Sequence, residues 1–428
     1  MSEPVSDAIS TLSRAERLMR GRDFASAVEI LQPVVEREST LQAICMLASS
    51  YLEVGEHEAA LRYASIAVET DPSSTPARDV LARVNTALGH YASALSDYDA
   101  LTTLSREQDS RALNKNLIQA HFALHNVEQI DHILAVGNCD ENAFAGISAE
   151  ELHRLRRQLT EMIDASDGET PWVSIHGRNG RILADPPYVK VSEEKLSRYL
   201  NEGVDYGQIQ QALLTGRQKV HVIDDFLTPH ALGQVQKFCL ESTVWRHPYD
   251  FGYIGGFPQH GFASVSLFAI AEELLRALGK ALPDHYFAQW WGFVYDAKLS
   301  GTDIHADDSD FAVNLWITPD SANLDPDTGG LVVWNETAPG DWSFDDYNSG
   351  GDRVRQFLRH QNAEPNIIPY RSNRAVLFQD HLFHQTDRFT FAPGFTHRRR
   401  SLTFLFRRRK RNNPTVNRLI GHTGDQTY

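Results

Sequence analysis

The residues most suited to chemistry are His305 and Asp307, in the segment GTDIHADDSDFAVNLWITP, and His384, in NRAVLFQDHLFHQTDRF. In an extended chain, residues i and i+2 point to the same face, so His305 and Asp307 can reach one ion together. His384 lies 77 residues downstream of Asp307 and supplies a second imidazole. Two imidazoles and one carboxylate occupy one face of an octahedron around a divalent metal and leave three positions open. His381 stands three residues before His384 and competes with it as the distal ligand.

A second group lies near the C-terminal end, where HRRRSLTFLF places Arg398, Arg399 and Arg400 side by side. Strand alternation puts Arg399, Ser401 and Thr403 on one face and Arg400, Leu402 and Phe404 on the other. A guanidinium on such a strand can hold a carboxylate by a bidentate, charge-assisted pair. Tyr295 lies ten residues before His305 in a strand-like run, where a core aromatic is one reading.

These residues need a scaffold, and the second half of the chain reads as one. From Lys219, KVHVIDDFLTPHALGQVQKFCLEST gives a strand, a turn and a helix that starts at Thr228-Pro229. Ile270, Leu274, Leu275 and Leu278 make a helical stripe in FAIAEELLRALGKAL. Strand-like runs follow, among them FAQWWGFVYDAKL, FAVNLWITP, GGLVVWNE, NIIPY, RAVLFQ and SLTFLFRR. Many short strands after a helical entry predict a β-sandwich or jelly roll with flanking helices. Trp316, Trp334, Trp342, Phe344 and Tyr347, between the two metal-ligand segments, either line an entrance or pack the sheet.

In this order of motifs, HxD then distal His then Arg-x-Ser, residues 219–409 resemble the Fe(II)- and 2-oxoglutarate-dependent oxygenase family, in its prolyl-hydroxylase-like branch. The resemblance covers a little under half the chain. It implies a double-stranded β-helix, with His305, Asp307 and His384 as iron ligands, and it favours His384 over His381. It implies Arg399 and Ser401 as the Arg-x-Ser anchor of 2-oxoglutarate and Tyr295 as a further donor to it. The cofactor set would be Fe(II), 2-oxoglutarate as cosubstrate and dioxygen, with ascorbate as a candidate reductant. The activity implied is hydroxylation of a substrate C–H bond coupled to oxidation of 2-oxoglutarate to succinate and carbon dioxide. Because Asp307 supplies the carboxylate that related halogenases lack, hydroxylation is expected over halogenation. Two other classes stay open: an inactive oxygenase-like binding module, and a metal-dependent jelly-roll enzyme that ignores 2-oxoglutarate.

The first third of the chain is a repeat. Leu47, Ala48, Gly55 and Ala60 recur as Leu81, Ala82, Gly89 and Ala94, each 34 residues on, and FASAV at Phe24–Val28 echoes YASAL at Tyr91–Leu95. A period of 34 with small residues at these places resembles the tetratricopeptide repeat, two helices per unit. Gly55 and Gly89 would cap first helices and Pro72 would follow a second one. A degenerate fourth unit is expected over about 109–135. Stacked units offer a groove for a protein or peptide substrate, although they also serve as a mere scaffold in some chains. A small metabolite or natural product is the alternative substrate.

The domain layout expected is 8–136 repeats, 137–218 a linker with a helix that starts at Ser148, 219–411 the oxygenase-like domain and 412–428 a tail. The fold class is therefore α+β in two domains. The 428 residues carry a net charge of −15, which argues against a nucleic-acid binder despite the basic run Arg407–Arg411. Three scattered cysteines, Cys45, Cys139 and Cys239, give no disulfide framework. The N-terminal residues lack the apolar stretch of a signal peptide and no run is long enough to span a membrane, so a cytoplasmic location is expected.

Overall fold

The computed structural model describes residues 3–112, 117–137, 144, 147–166, 171–174, 176–216, 218–295, 301–379 and 381–409. Cys139, the Lys410-Arg411 end of the basic run and the 412–428 tail lie outside the described residues. The chain forms two compact units. One holds the described residues of Met1–Ser105, Asp284–Ala288 and Arg408–Tyr428; the other holds those of Arg106–Pro283 and Gln289–Arg407. Among the described residues no helix is long and apolar enough to cross a membrane.

The first unit is helical. Its helices are α1 (Glu3–Arg20), α2 (Phe24–Arg37), α3 (Leu41–Glu53), α4 (His57–Thr70), α5 (Thr75–Leu88) and the first part of α6 (Tyr91–Ala112). From α1 to α5 each helix packs on the next, and α3 also packs on α1 and α5. The local sequence explains the breaks. Asp23, Thr40 and Ser74 accept the backbone N–H three residues on and so satisfy a free helix donor. Gly55 and Gly89 take the left-handed conformation, at φ 87° and 77°, that ends α3 and α5. Ala48, Ala60 and Ala67 are fully buried, which permits close helix approach. Over the expected fourth repeat no helical hairpin forms among the described residues. Helix α6 continues to Ala112, and a short strand, β1 (Leu117–Gln119), precedes α7 (Ala120–Val136). No glycine interrupts α6 where the earlier repeats turn.

In the second unit α7 packs on α8 (Ala149–Asp164), which Ser148 caps, and β1 pairs with β2 (Trp172–Ser174). Two helices follow, α9 (Gly177–Ala184) and α10 (Tyr206–Thr215). The sheets then begin with β3 (Val220–Ile223), α11 (Pro229–Glu241), β4 (His247–Pro248), β5 (Tyr253–Gly256), α12 (Val265–Ala277), β6 (His285–Tyr295) and β7 (Phe311–Trp316). The helical stripe ends one residue early, as Leu278 is the cap of α12 rather than part of it. After these come β8 (Leu331–Thr337), α13 (Phe344–Asn348), α14 (Gly351–His360), β9 (Pro365–Ile368), β10 (Ala375–Gln379), β11 (Leu382–Thr386) and β12 (Arg400–Arg408).

The larger sheet has seven strands in the order β3-β10-β7-β12-β6-β5-β4, and the smaller has three, β11-β8-β9. Register decides which side chains share a face. Thr403 pairs with Asn314, Leu405 with Ala312, and Ala312 with Phe378. Ala312, Trp316, Val376, Phe378 and Leu405 of the large sheet pack in one apolar cluster with Leu331, Val333, Ile368 and Leu382 of the small one. The two sheets thus face each other, and each buried Val, Leu, Ile or Phe side chain contributes roughly 1.5–3 kcal/mol. Trp316 is among them, stacked on Tyr370 at 5.4 Å, so it packs the sheet.

Candidate metal centre

One end of this inter-sheet space is polar. His305 and His384 exchange both backbone hydrogen bonds, at 3.0 and 2.9 Å, in an isolated bridge beside β11. A hydrogen-bonded antiparallel pair aims both side chains to the same face, so two residues far apart in sequence converge. Their rings lie 4.4 Å apart. Asp307 Oδ1 is 3.7 Å from His305 Nε2, and Oδ2 is 3.6 Å from His384 Nε2. One ligand atom from each of the three lies within 4.8 Å of the others.

The tautomers follow from the hydrogen bonds. His305 Nδ1 sits 2.7 Å from the Asp303 carbonyl and His384 Nδ1 sits 3.0 Å from the Leu382 carbonyl. A carbonyl only accepts, so each Nδ1 carries the proton and each Nε2 presents its lone pair. Burial, together with the neighbouring His305, pushes His384 down to about 4, which keeps it neutral and able to bind a metal at neutral pH. His381 points elsewhere. It adopts φ 51° and donates from Nδ1 to the Asp307 carbonyl at 2.8 Å, which steadies the Asp307 backbone from outside the group of three.

Of the three adjacent arginines, one lines the cavity. Arg398 pairs with Glu128 at 2.7 Å, and Arg400 donates to the backbone carbonyls of Phe395 and Arg398. Arg399 is 1% exposed and lines the same cavity as His305, Asp307 and His384. Its Nε donates to the Gly329 carbonyl at 2.7 Å and its Nη2 to the Gly330 carbonyl at 3.2 Å. Its Nη1 is buried and has no partner among the described residues. A buried guanidinium without a carboxylate is costly, on the order of several kcal/mol, so the arrangement suits an anionic ligand. Tyr295 lays its ring 4.7 Å from the guanidinium carbon and, like Ser401, borders the cavity.

Other residues at the site escaped the sequence. Asn314 and Thr403 face the cavity and bond to each other at 3.2 Å, and the Asn314 side-chain oxygen is left without a partner among the described residues. A lone Asn in the apolar run FAVNLW was the available signal. Thr302 and Thr386 share a hydroxyl hydrogen bond of 2.6 Å at the rim. Asn348 donates to the Ala306 carbonyl at 3.1 Å, and Arg355 pairs with Asp303, so α13 and α14 brace the His305–Asp307 loop. Phe344 faces the outer cleft, whereas Trp334, Trp342 and Tyr347 pack in a side cluster with Phe383.

Comparison with known proteins gives several partial likenesses. Residues 2–120 match the family model of the bacterial transcriptional activator domain. No curated protein matches the chain. The chain is similar to the Sgt2 TPR domain from Aspergillus fumigatus at 16% identity, over 45% of this chain and 92% of that one, with a TM-score of 0.21. It is similar to a Pseudomonas putida prolyl-4-hydroxylase at 14% identity, over 52% of this chain and 100% of that one, with a TM-score of 0.31. A third likeness is to HygX from Streptomyces hygroscopicus, solved with nickel and 2-oxoglutarate, at 12% identity over 46% and 86%, with a TM-score of 0.35.

Proposed function

We propose that the second unit is a jelly-roll oxygenase that uses Fe(II), 2-oxoglutarate and dioxygen to hydroxylate a substrate C–H bond. The observation that carries this reading is the shared cavity. A metal-ready group of two imidazoles and a carboxylate stands at one wall, and a buried guanidinium with a free N–H stands at another. His305 Nε2, His384 Nε2 and the Asp307 carboxylate would hold the iron, and Arg399 Nη1 would take the distal carboxylate of 2-oxoglutarate, with Tyr295 and Ser401 beside it. Bound iron and cosubstrate supply the activation of dioxygen, while 2-oxoglutarate is oxidised to succinate and carbon dioxide.

The chain's own residues do the rest. The Asp303 and Leu382 carbonyls fix the two imidazole tautomers, and the His381 ring fixes the Asp307 backbone. The apolar cluster between the sheets keeps water from the inner end of the cavity. The helical repeats would present a protein or peptide partner; a small metabolite remains the second substrate class. Iron-dependent succinate release tests the assignment. Asp307→Ala should lower it on the order of 100-fold or more, and unchanged release would remove the triad from the account.

A further inference from the structure

Outside the triad the cavity opens into a wide cleft that His305 and Asp307 border on its inner side. Its far wall is aromatic. Tyr249 and Tyr253 stack at 4.4 Å, and Phe293 stands edge-on to both, at 5.8 and 5.1 Å. Phe257 and Trp291 continue this wall, and Phe251 stands 64% exposed at the rim. Each ring face carries the negative end of a quadrupole, so the wall attracts cations as well as apolar groups.

The charges of the cleft point the same way. Four carboxylates, Asp303, Asp307, Asp308 and Asp387, and two guanidiniums, Arg355 and Arg388, line the cleft. Three of the acids are committed: Asp303 pairs with Arg355, Asp308 with Arg407, and Asp307 belongs to the triad. Asp387 is different. Its Oδ1 accepts the Arg388 backbone N–H at 2.8 Å, while its Oδ2 is buried and has no partner among the described residues. Arg388 is exposed and does not neutralise it. A buried carboxylate oxygen without a donor is costly, and a charged N–H donor would relieve it more strongly than a neutral one.

We propose that this cleft takes a substrate bearing a protonated amine, with Asp387 as its counter-ion and the Tyr249–Phe293 wall around its carbon body. The inference rests on the oxygenase reading for the purpose of the cleft, but binding can be measured apart from turnover. The probes are phenethylammonium and its neutral counterpart phenethyl alcohol, and a lysine-containing pentapeptide and its norleucine counterpart. Each is titrated by calorimetry into the metal-free full chain, the Asp387→Asn variant and the Phe251→Ala variant. Asn keeps the Oδ1 acceptor for the Arg388 N–H, so the local turn survives; far-UV circular dichroism checks this.

At least one ammonium probe should bind about tenfold more tightly than its neutral partner. Asp387→Asn should remove that preference, and Phe251→Ala should weaken both members of the pair. A tighter peptide places the amine on a polypeptide, and a tighter free amine places it on a small molecule. Equal binding of charged and neutral probes, no binding by either ammonium, or an unchanged preference in Asp387→Asn overturns the proposal. Succinate release in the iron-loaded chain separates the two ideas. Amine selectivity without succinate sinks the oxygenase reading and leaves the cleft assignment, whereas succinate without amine selectivity does the reverse.

Discussion

From α2 to α5 the apolar core consists of Ala, Val, Leu, Ile and Tyr side chains, with Ser50, His57, Asn85 and Thr86 also buried in these helices, while the space between the two sheets holds two imidazoles, a carboxylate and a guanidinium. The helical interior bonds its backbone within the helices, and its exception is His57, whose two ring nitrogens are buried without hydrogen-bond partners among the described residues while the ring stands edge-on to Tyr286 at 4.7 Å. The inter-sheet space leaves Arg399 Nη1, the Asn314 side-chain oxygen and the Trp316 Nε1 without partners among the described residues. Native interiors pair nearly all buried polar atoms. Arg399 Nη1 and the Asn314 oxygen line one cavity beside three side chains suited to a metal, whereas the His57 nitrogens stand in no such group, and it is this combination that supports a ligand site.

Substitutions in the two regions should act differently. The largest expected effect is in the scaffold. Leu47 is fully buried in the helical cluster, so Leu47→Ala should cost about 2–5 kcal/mol of unfolding free energy. Denaturant midpoints measure it, and 2-oxoglutarate affinity should not change. A pH change should act on both regions at a lower level. Burial pushes His57 in the helices, and His260 and His384 in the second unit, down to about 4. These values lie below the ordinary 6.5, so the unfolded chain binds more protons between pH 6.5 and 4. Stability is full above pH 6.5 and falls as the pH drops through that window. Between pH 7 and 5 each such histidine should cost up to ~2 kcal/mol, read as a fall in the urea midpoint of the metal-free chain. The smallest effect belongs to Gly89. A Cβ there meets nothing within 4 Å, but φ is 77°, so Gly89→Ala should cost only about 1 kcal/mol.

The sequence disclosed these two regions unequally. The 34-residue period exposed the helical hairpins because each unit repeats the same small residues at the same contacts, and Gly55 and Gly89 mark turns that only glycine takes easily. The fourth repeat misled because α6 runs on without a break and its partner helix packs elsewhere. Strand spacing singled out His305 and Asp307 together, but both lie in the loop before β7, where only His305 makes an isolated bridge. His384 and His381 could not be separated by spacing, because the phase of a strand is lost at the turn before it. The choice depends on the backbone exchange with His305 and on the positive φ at His381. Asn314, Thr403, Thr302 and Thr386 come together only through cross-strand register, which a single sequence does not reveal.

The triad and Arg399 are proposed to form one site for a metal and a dicarboxylate. Anaerobic calorimetric titration of 2-oxoglutarate into the Fe(II)-loaded chain tests it most directly. The account predicts one equivalent bound, no binding without the metal, and an affinity lowered on the order of 100-fold by Arg399→Met. Binding that ignores both the metal and Arg399, or no binding at all, would contradict it.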